Sequence, residues 1–432
     1  MKILFVGDNR NRKNFGCRST SIALSQLISK KNEIVNCITG NFTLNKGDVF
    51  FIPGLPKWVY FILGKIPLWK GFRHIWWKAV RKIVNSDRSL MFDFARNSPI
   101  KSLKNFLRCL PANEHLQELN LFNYFFDALV INGEGTMIMA NPARRDALIY
   151  MMLTFWAKDL GKKVFFVNAV FSDCPVSGEN YTTIYEANKV FSNCDALVVR
   201  DTVSLEYIKN NLKDCNATYI PDALFTWNKY VNDSHKLING RYYLPFGFEN
   251  NEYFDIFNFT EPFICLSGSS MSAWDQKKAE KTYCNLIAKL KREIEMTLFL
   301  VQTCNGDRFL VNVAKITDTP ILIADMPLIA LSKVLATASL LISGRYHPSI
   351  VASLGGTPCV FLGSNSHKTY SLQKILEYQE IEVFNAYPDE GECEKIVKSA
   401  KRKLEQGMSE RKRIFNIAQT LASKSEEVLN LI

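Results

Sequence analysis

The 432-residue sequence lacks most of the signatures that would settle its class quickly. Its eleven cysteines are scattered singly, among them Cys17, Cys37, Cys109, Cys174, Cys194 and Cys215, with no CxxC pair and an odd total. That pattern argues against a disulfide framework or a zinc module and fits free thiols in a reducing compartment. No cluster of ligand residues calls for a metal. There is no Gly-x-Gly-x-x-Gly fingerprint, no P-loop lysine and no Arg-Gly tract, which removes the usual support for nucleoside triphosphate hydrolysis or nucleic-acid binding. The longest apolar run in the aromatic N-terminal third, residues 58–63, falls far short of the ~20 residues that span a bilayer. Residues 1–7 run straight into strand-like sequence, without the apolar core and cleavage site of a secretory signal. A cytoplasmic protein is expected.

What is present is a globular composition, 47% hydrophobic and 22% charged, with 53 basic against 42 acidic side chains. The excess of +11 suits anionic partners such as phosphorylated metabolites or an anionic membrane surface. Strand-like and helix-like stretches alternate. Residues 2–7, 33–38, 48–52, 127–132, 163–168, 196–200 and 217–220 read as strands, with helices at 17–30, 143–159 and 202–211. After a polar connection over 228–261 the alternation resumes. Strands are predicted at 263–267, 297–302, 320–324, 340–342 and 359–362, with helices at 272–291, 327–338 and from 392 onward. Such alternation, in a chain too long for one core, predicts an α/β protein of two Rossmann-like domains facing across a cleft. They are expected at residues 1–245 and 246–432. An insertion at about 55–110 carries Trp58, Tyr60, Phe61, Trp69, Phe72, Trp76 and Trp77 among Lys65, Lys70, Arg73, Lys78, Arg81 and Lys82. Two readings stand for it: contact with a membrane surface, or aromatics packed on the N-terminal domain.

Several strand ends carry chemistry-bearing residues. Arg345 and His347 follow the apolar run 340–342, at the carboxyl end of a strand, where open α/β sheets bind ligands. The arginine offers a planar fork to carboxylate or phosphate, and the histidine can move a proton near neutral pH. Gly133, Glu134, Gly135 and Thr136 read as a strand-to-helix turn that a ligand can approach, with Glu134 as an acceptor or base. Arg200 ends another strand, either as an anion ligand or as a partner of Asp201 or Asp222, and Asp201 is placed to cap the next helix. Asp222 follows Pro221 at a further strand end. Ser269 and Ser270, in a Ser/Gly loop, offer hydroxyls to a phosphate, and Lys368 adds a cation on the same edge.

Taken in order, the loop Asn14-Phe15-Gly16, Asn132-Gly133-Glu134-Gly135-Thr136, Leu160-Gly161-Lys162-Lys163, Val199-Arg200-Asp201 with Ser204, Pro221-Asp222, Gly344-Arg345-Tyr346-His347, Gly356-Thr357-Pro358 and Lys368 resemble the polysaccharide pyruvyl transferases. The likeness runs across about residues 1–375. It implies a GT-B-type fold and transfer of a pyruvyl group from phosphoenolpyruvate, a co-substrate rather than a cofactor, to a sugar as a cyclic ketal. The acceptor would be a surface polysaccharide (an exopolysaccharide or capsule) or its lipid-linked precursor, met at the inner face of the membrane. On this reading His347, Arg345 and Glu134 are catalytic. Arg200, Ser269, Ser270, Lys368, Asn14, Gly133, Gly135, Thr136 and Asp222 bind substrate. Two alternatives stay open: a glycosyltransferase of the same fold using a nucleotide sugar, and a non-catalytic glycan- or membrane-binding protein.

Overall fold

The computed structural model describes residues 1–40, 51–66, 93–231, 237–238, 241–242, 259 and 261–432. Trp69, Phe72, Trp76 and Trp77 of the aromatic insertion, residues 48–50 of a predicted strand and the 245/246 division all lie outside these. Phe51 and Ile52 are described and are not strand.

Two six-stranded parallel sheets organise the chain, each in its own unit. The first unit comprises Met1–Asn9, Ile28–Tyr219 and Leu429–Ile432; the second comprises Arg10–Leu27 and Ile220–Val428. In the first, β1 (Lys2–Asp8), β2 (Glu33–Thr39), β3 (Ala128–Ile138), β4 (Lys163–Ser172), β5 (Ala196–Val199) and β6 (Ala217–Tyr219) lie in the order β2-β1-β3-β4-β5-β6. The inner strands are apolar along most of their length because helices cover both sheet faces: Ile3, Leu4, Phe5 and Val6 are fully buried, and so are Leu129, Val130 and Ile131. The covering helix Arg145–Asp159 is buried almost all round. Phe166 of β4 meets Tyr150, Phe171 and Phe191 edge-on or tilted, at centroid separations of 4.7 to 6.0 Å.

After a short hairpin of β7 (Leu237–Ile238) and β8 (Arg241–Tyr242), the second sheet is built from β9 (Phe263–Ser269), β10 (Thr297–Val301), β11 (Ile321–Leu322), β12 (Leu340–Gly344), β13 (Cys359–Leu362) and β14 (Val383–Phe384). Their order is β11-β10-β9-β12-β13-β14. This is the doubly wound Rossmann order, in which the chain builds outward from β9 on one side and then returns to build outward on the other. The reversal leaves a crevice at the carboxyl ends of β9 and β12. The first sheet reverses between β1 and β3 in the same way. Ligands of open α/β sheets bind at such reversals.

A further expectation needs correction. Gly133, Glu134, Gly135 and Thr136 are not a strand-to-helix turn: β3 continues through them to Ile138, and the next helix begins only at Arg145. Glu134 adopts a left-handed backbone (φ 39°), which throws a bulge into β3 before pairing with β4 resumes at Met137 and Phe171. No helix N-terminus therefore stands behind that glycine pair. The helix after β12 begins at Tyr346, so His347 sits in its first turn.

Candidate functional site

In the second unit the reversal point gathers the residues best suited to anion and proton chemistry. Arg345 stands between β12 and the helix Tyr346–Leu354 with an extended backbone (φ −104°, ψ 125°). Its N–H donates to Ser343 Oγ at 3.0 Å, and its carbonyl accepts from Ser349 Oγ at 2.9 Å. Its guanidinium pairs with Asp307 Oδ1 at 2.5 Å. Asp307, fully buried, also accepts from the Thr303 hydroxyl at 2.9 Å and the Thr303 N–H at 3.2 Å. Burial alone would loosen the arginine's proton, but the Asp307 carboxylate overrides it and raises the pKa above the ordinary value. Arg345 Nε is buried without a hydrogen-bond partner among the described residues. A buried charged donor left unpaired is costly, so an anion arriving there would meet a donor with nothing else to bond. Burial first, then Asp307, pushes the thiol of the adjacent Cys304 up to about 11.

His347 is the second element. Its Nε2 lies 3.4 Å from Asp222 Oδ2, and Asp222 is itself fully buried. Asp222 Oδ1 accepts from the Thr20 hydroxyl at 2.8 Å and from the Leu224 N–H at 2.9 Å, while its carbonyl accepts from Ser425 Oγ at 3.1 Å. The carboxylate is thus fixed before it meets the imidazole, which lets it set the ring's orientation. Gly16 closes the other side: a Cβ there would stand 2.4 Å from His347 Nδ1, so only glycine admits the ring. Asn14, one of the predicted substrate contacts, uses its side chain to cap the helix Phe15–Ile28, accepting from Cys17 N–H at 3.1 Å. Phe15 N–H donates to Thr303 O at 2.8 Å, which ties this loop to the segment carrying Asp307.

The remaining predicted residues of the second unit divide. Ser269 is fully buried, and its hydroxyl donates to the Gly363 carbonyl; it knits two loops rather than presenting a free hydroxyl. Ser270 hydrogen-bonds Asn365, accepting from its N–H at 2.9 Å, and Lys368 Nζ donates to Asn365 Oδ1 at 2.7 Å. These three form one polar cluster at the carboxyl ends of β9 and β13.

The first unit's reversal point is built from amides around a carboxylate. Glu134 Oε1 accepts from Asn9 Nδ2 at 2.6 Å and Asn132 Nδ2 at 3.2 Å. Asn168, itself left-handed (φ 56°), donates to Asn132 Oδ1 at 3.1 Å. Gly133 lets β3 lie close to β4, since a Cβ would come within 2.6 Å of the Ala169 Cβ. Gly135 has open space at its α-carbon, its carbonyl accepts from Arg144 Nη1 at 2.9 Å, and Thr136 is buried in β3. Arg200 is 1% exposed inside the unit, at the end of β5 beside the cap Asp201. Asp201 caps the helix Thr202–Asn211 through Ser204 N–H at 2.7 Å, as its spacing predicts. All eleven cysteines are free, and among the described residues no group of three or more His, Cys, Asp or Glu could hold a metal.

Asp307, Thr20 and Asn9 escaped the sequence reading. Asp307 had a signal, since it follows an Asn-Gly pair just beyond the strand Thr297–Val301. Thr20 had none, because its partner lies 202 residues away.

Two doubly wound parallel sheets in one chain define the GT-B-like class of α/β enzymes. Solved structures agree at the level of fold: S. aureus MnaA with UDP (TM-score 0.53, 11% identity, covering 100% of this chain and 97% of that one) and O. sativa Os79 with U2F and trichothecene (TM-score 0.50, 11% identity, 99% and 96%). No curated protein matches. The family model described as polysaccharide pyruvyl transferase matches residues 47–366. The chain belongs to the polysaccharide pyruvyl transferase family, a family of transferases. Arg345, His347, Asp222 and Asp307 fall inside the matched stretch; Asn14, Gly16 and Thr20 precede it, and Lys368 follows it.

Proposed function

We propose that this protein transfers the pyruvyl group of phosphoenolpyruvate to a sugar of a surface polysaccharide or its precursor, forming a cyclic ketal. The observation that carries this reading is the buried Arg345 guanidinium with an unpaired Nε–H, beside a histidine held by a buried aspartate. Phosphoenolpyruvate brings a carboxylate and a phosphate, and Arg345 binds one of them. Ser270 and Lys368, joined through Asn365, suit the other.

The chemistry assigns each group a task. His347, protonated, delivers its proton to the methylene carbon of phosphoenolpyruvate, which leaves an oxocarbenium-like centre at the neighbouring carbon. A sugar hydroxyl attacks that carbon and gives up its proton, for which Glu134 is the proposed acceptor. Inorganic phosphate leaves with the C–O bonding pair. A second sugar hydroxyl then adds to the same carbon, loses its proton and closes the ring. Asp222 and Thr20 are positioning residues: they hold the imidazole but touch no reacting atom. Asp307 plays the same part for Arg345. No step calls for a metal or a redox cofactor.

The test is release of phosphate from phosphoenolpyruvate that depends on a saccharide acceptor, with the product gaining about 70 mass units per modified sugar, the mass of one pyruvate less water. Turnover of a nucleotide sugar with no consumption of phosphoenolpyruvate across a panel of glycan acceptors would overturn the reading in favour of a glycosyltransferase.

A further inference from the structure

The helix Lys57–Lys65 of the first unit has two apolar faces, and the protein uses one of them. Tyr60 is fully buried, its hydroxyl accepting from the Ile52 N–H at 2.7 Å and donating to the Ile52 carbonyl at 3.1 Å. Leu63 packs against the unit's core. Gly64 lies so close to the turn Leu110–Ala112 that a Cβ would stand 2.1 Å from the Pro111 carbonyl oxygen. These contacts fix the rotation of the helix. At 3.6 residues per turn they turn Trp58, Phe61, Ile62 and Lys65 to the opposite side. The three apolar residues there are 65%, 54% and 51% exposed, where a helix facing only water would be polar.

Among the described residues, the two helices at this face carry charge of one sign. Residues 51–66 contain no Asp or Glu, and neither does the helix Pro99–Cys109 packed beside them. Lys57 and Lys65 flank the first helix; Lys101 and Lys104 are exposed on the second, together with Ile100. Lys65 Nζ stands 4.2 Å from the Phe61 ring centroid, the arrangement of a lysine whose stem covers apolar surface while its charge reaches outward.

We infer that this face docks on an anionic lipid bilayer, with Trp58, Phe61 and Ile62 entering the headgroup boundary and the lysines meeting lipid phosphates. Aromatic and aliphatic side chains on one side of a short helix, rimmed by lysine, match the interfacial mode of membrane binding. Three side chains are too few to fill the roughly 800 Å² that a protein partner usually covers on each side of an interface. Among the described residues no helix is long and apolar enough to cross a membrane, so the contact lies along the surface. The inference goes beyond the transferase reading and does not depend on it.

Sedimentation of the full chain with vesicles tests it. With equimolar phosphatidylglycerol and phosphatidylcholine, wild type should pellet; with phosphatidylcholine alone it should stay in solution. The variant Trp58→Ser/Phe61→Ser/Ile62→Ser should lose at least ~tenfold in vesicle affinity, with phosphate release on a soluble acceptor unchanged. Lys57→Gln/Lys65→Gln/Lys101→Gln/Lys104→Gln should weaken binding and flatten its salt dependence, and it carries the test alone if the apolar variant melts early. The inference is overturned if wild type ignores phosphatidylglycerol vesicles, if the lysine variant binds them as wild type does, or if a well-folded apolar variant does so. Ultracentrifugation showing a dimer that the apolar variant dissociates would also overturn it, making the face a contact between two copies.

Discussion

The two reversal points share a topology and invert each other's chemistry. In the first unit a carboxylate, Glu134, is held by neutral amide donors from Asn9 and Asn132. In the second an arginine and a histidine are each held by a buried aspartate, Asp307 and Asp222. The same kind of crevice therefore holds an amide-bound carboxylate in one unit and, in the other, a guanidinium and an imidazole each paired with a buried carboxylate. The doubly wound sheet supplies the location, and the residues beyond each strand supply the function. The difference also predicts how each site fails. An amide-held carboxylate keeps its place when neutralised, whereas a cation separated from its buried aspartate leaves an uncompensated charge.

The largest effect should come from the second unit. His347→Ala should lower acceptor-dependent phosphate release by ~10²–10⁴-fold, with phosphoenolpyruvate binding retained in calorimetry, because a positioned general acid contributes on that scale. Arg345→Lys should cost roughly 10²-fold and weaken phosphoenolpyruvate binding, since lysine keeps the charge and loses the planar fork. Asp222→Asn should cost about 10–100-fold in kcat with little change in KM, the mark of a residue that orients rather than binds. In the first unit, Glu134→Gln should fold normally and reduce turnover about tenfold, with the loss read against acceptor rather than phosphoenolpyruvate. Were Glu134→Gln more damaging than His347→Ala, the contrast between the units would be reversed.

The smallest effect concerns stability. Lys403 is buried in the second unit with its Nζ 4.5 Å from the Tyr378 ring centroid. Burial is the main cause of its lowered pKa, and Glu382 only partly offsets it. The unfolded chain then holds this proton more tightly than the folded one, so this lysine costs stability near neutrality and costs less as pH rises through its folded value. Lys403→Met should raise Tm by roughly 2–4 °C at pH 7, and the gain should shrink as pH approaches that of a free lysine.

Much of this was legible in the sequence, for a local reason. The strands Cys359–Leu362 and Thr297–Val301 stand out because a buried parallel strand is an uninterrupted apolar run between turn residues. Arg345 and His347 were visible because they follow such a run directly. Asp201 was visible as a cap because capping is a three-residue relation. Partnership at long range was not legible. Nothing near Arg200 says that it ends buried, and nothing near Asp222 says that its carboxylate faces His347. Ser269 looked available to a phosphate because its hydroxyl's acceptor, Gly363, lies 94 residues on. The glycine pair around Glu134 misled for a different reason. Glycine marks both turns and bulges, and here the left-handed residue was the glutamate itself.

Asp222 is the residue on which the chain closes. It bonds Thr20, 202 residues before it, and Ser425, 203 residues after it, as well as His347. Residues 10–27 leave the ribosome while the first unit is still being made, yet they belong to the second. They must wait until nearly the whole chain has been synthesised before the cradle of His347 can form. Non-local closure of this kind slows folding, and it makes the N-terminus a poor place to truncate. Removing the first twenty residues would take away the wall behind the imidazole and the hydroxyl that steadies Asp222, leaving the matched family stretch whole and its histidine unsupported.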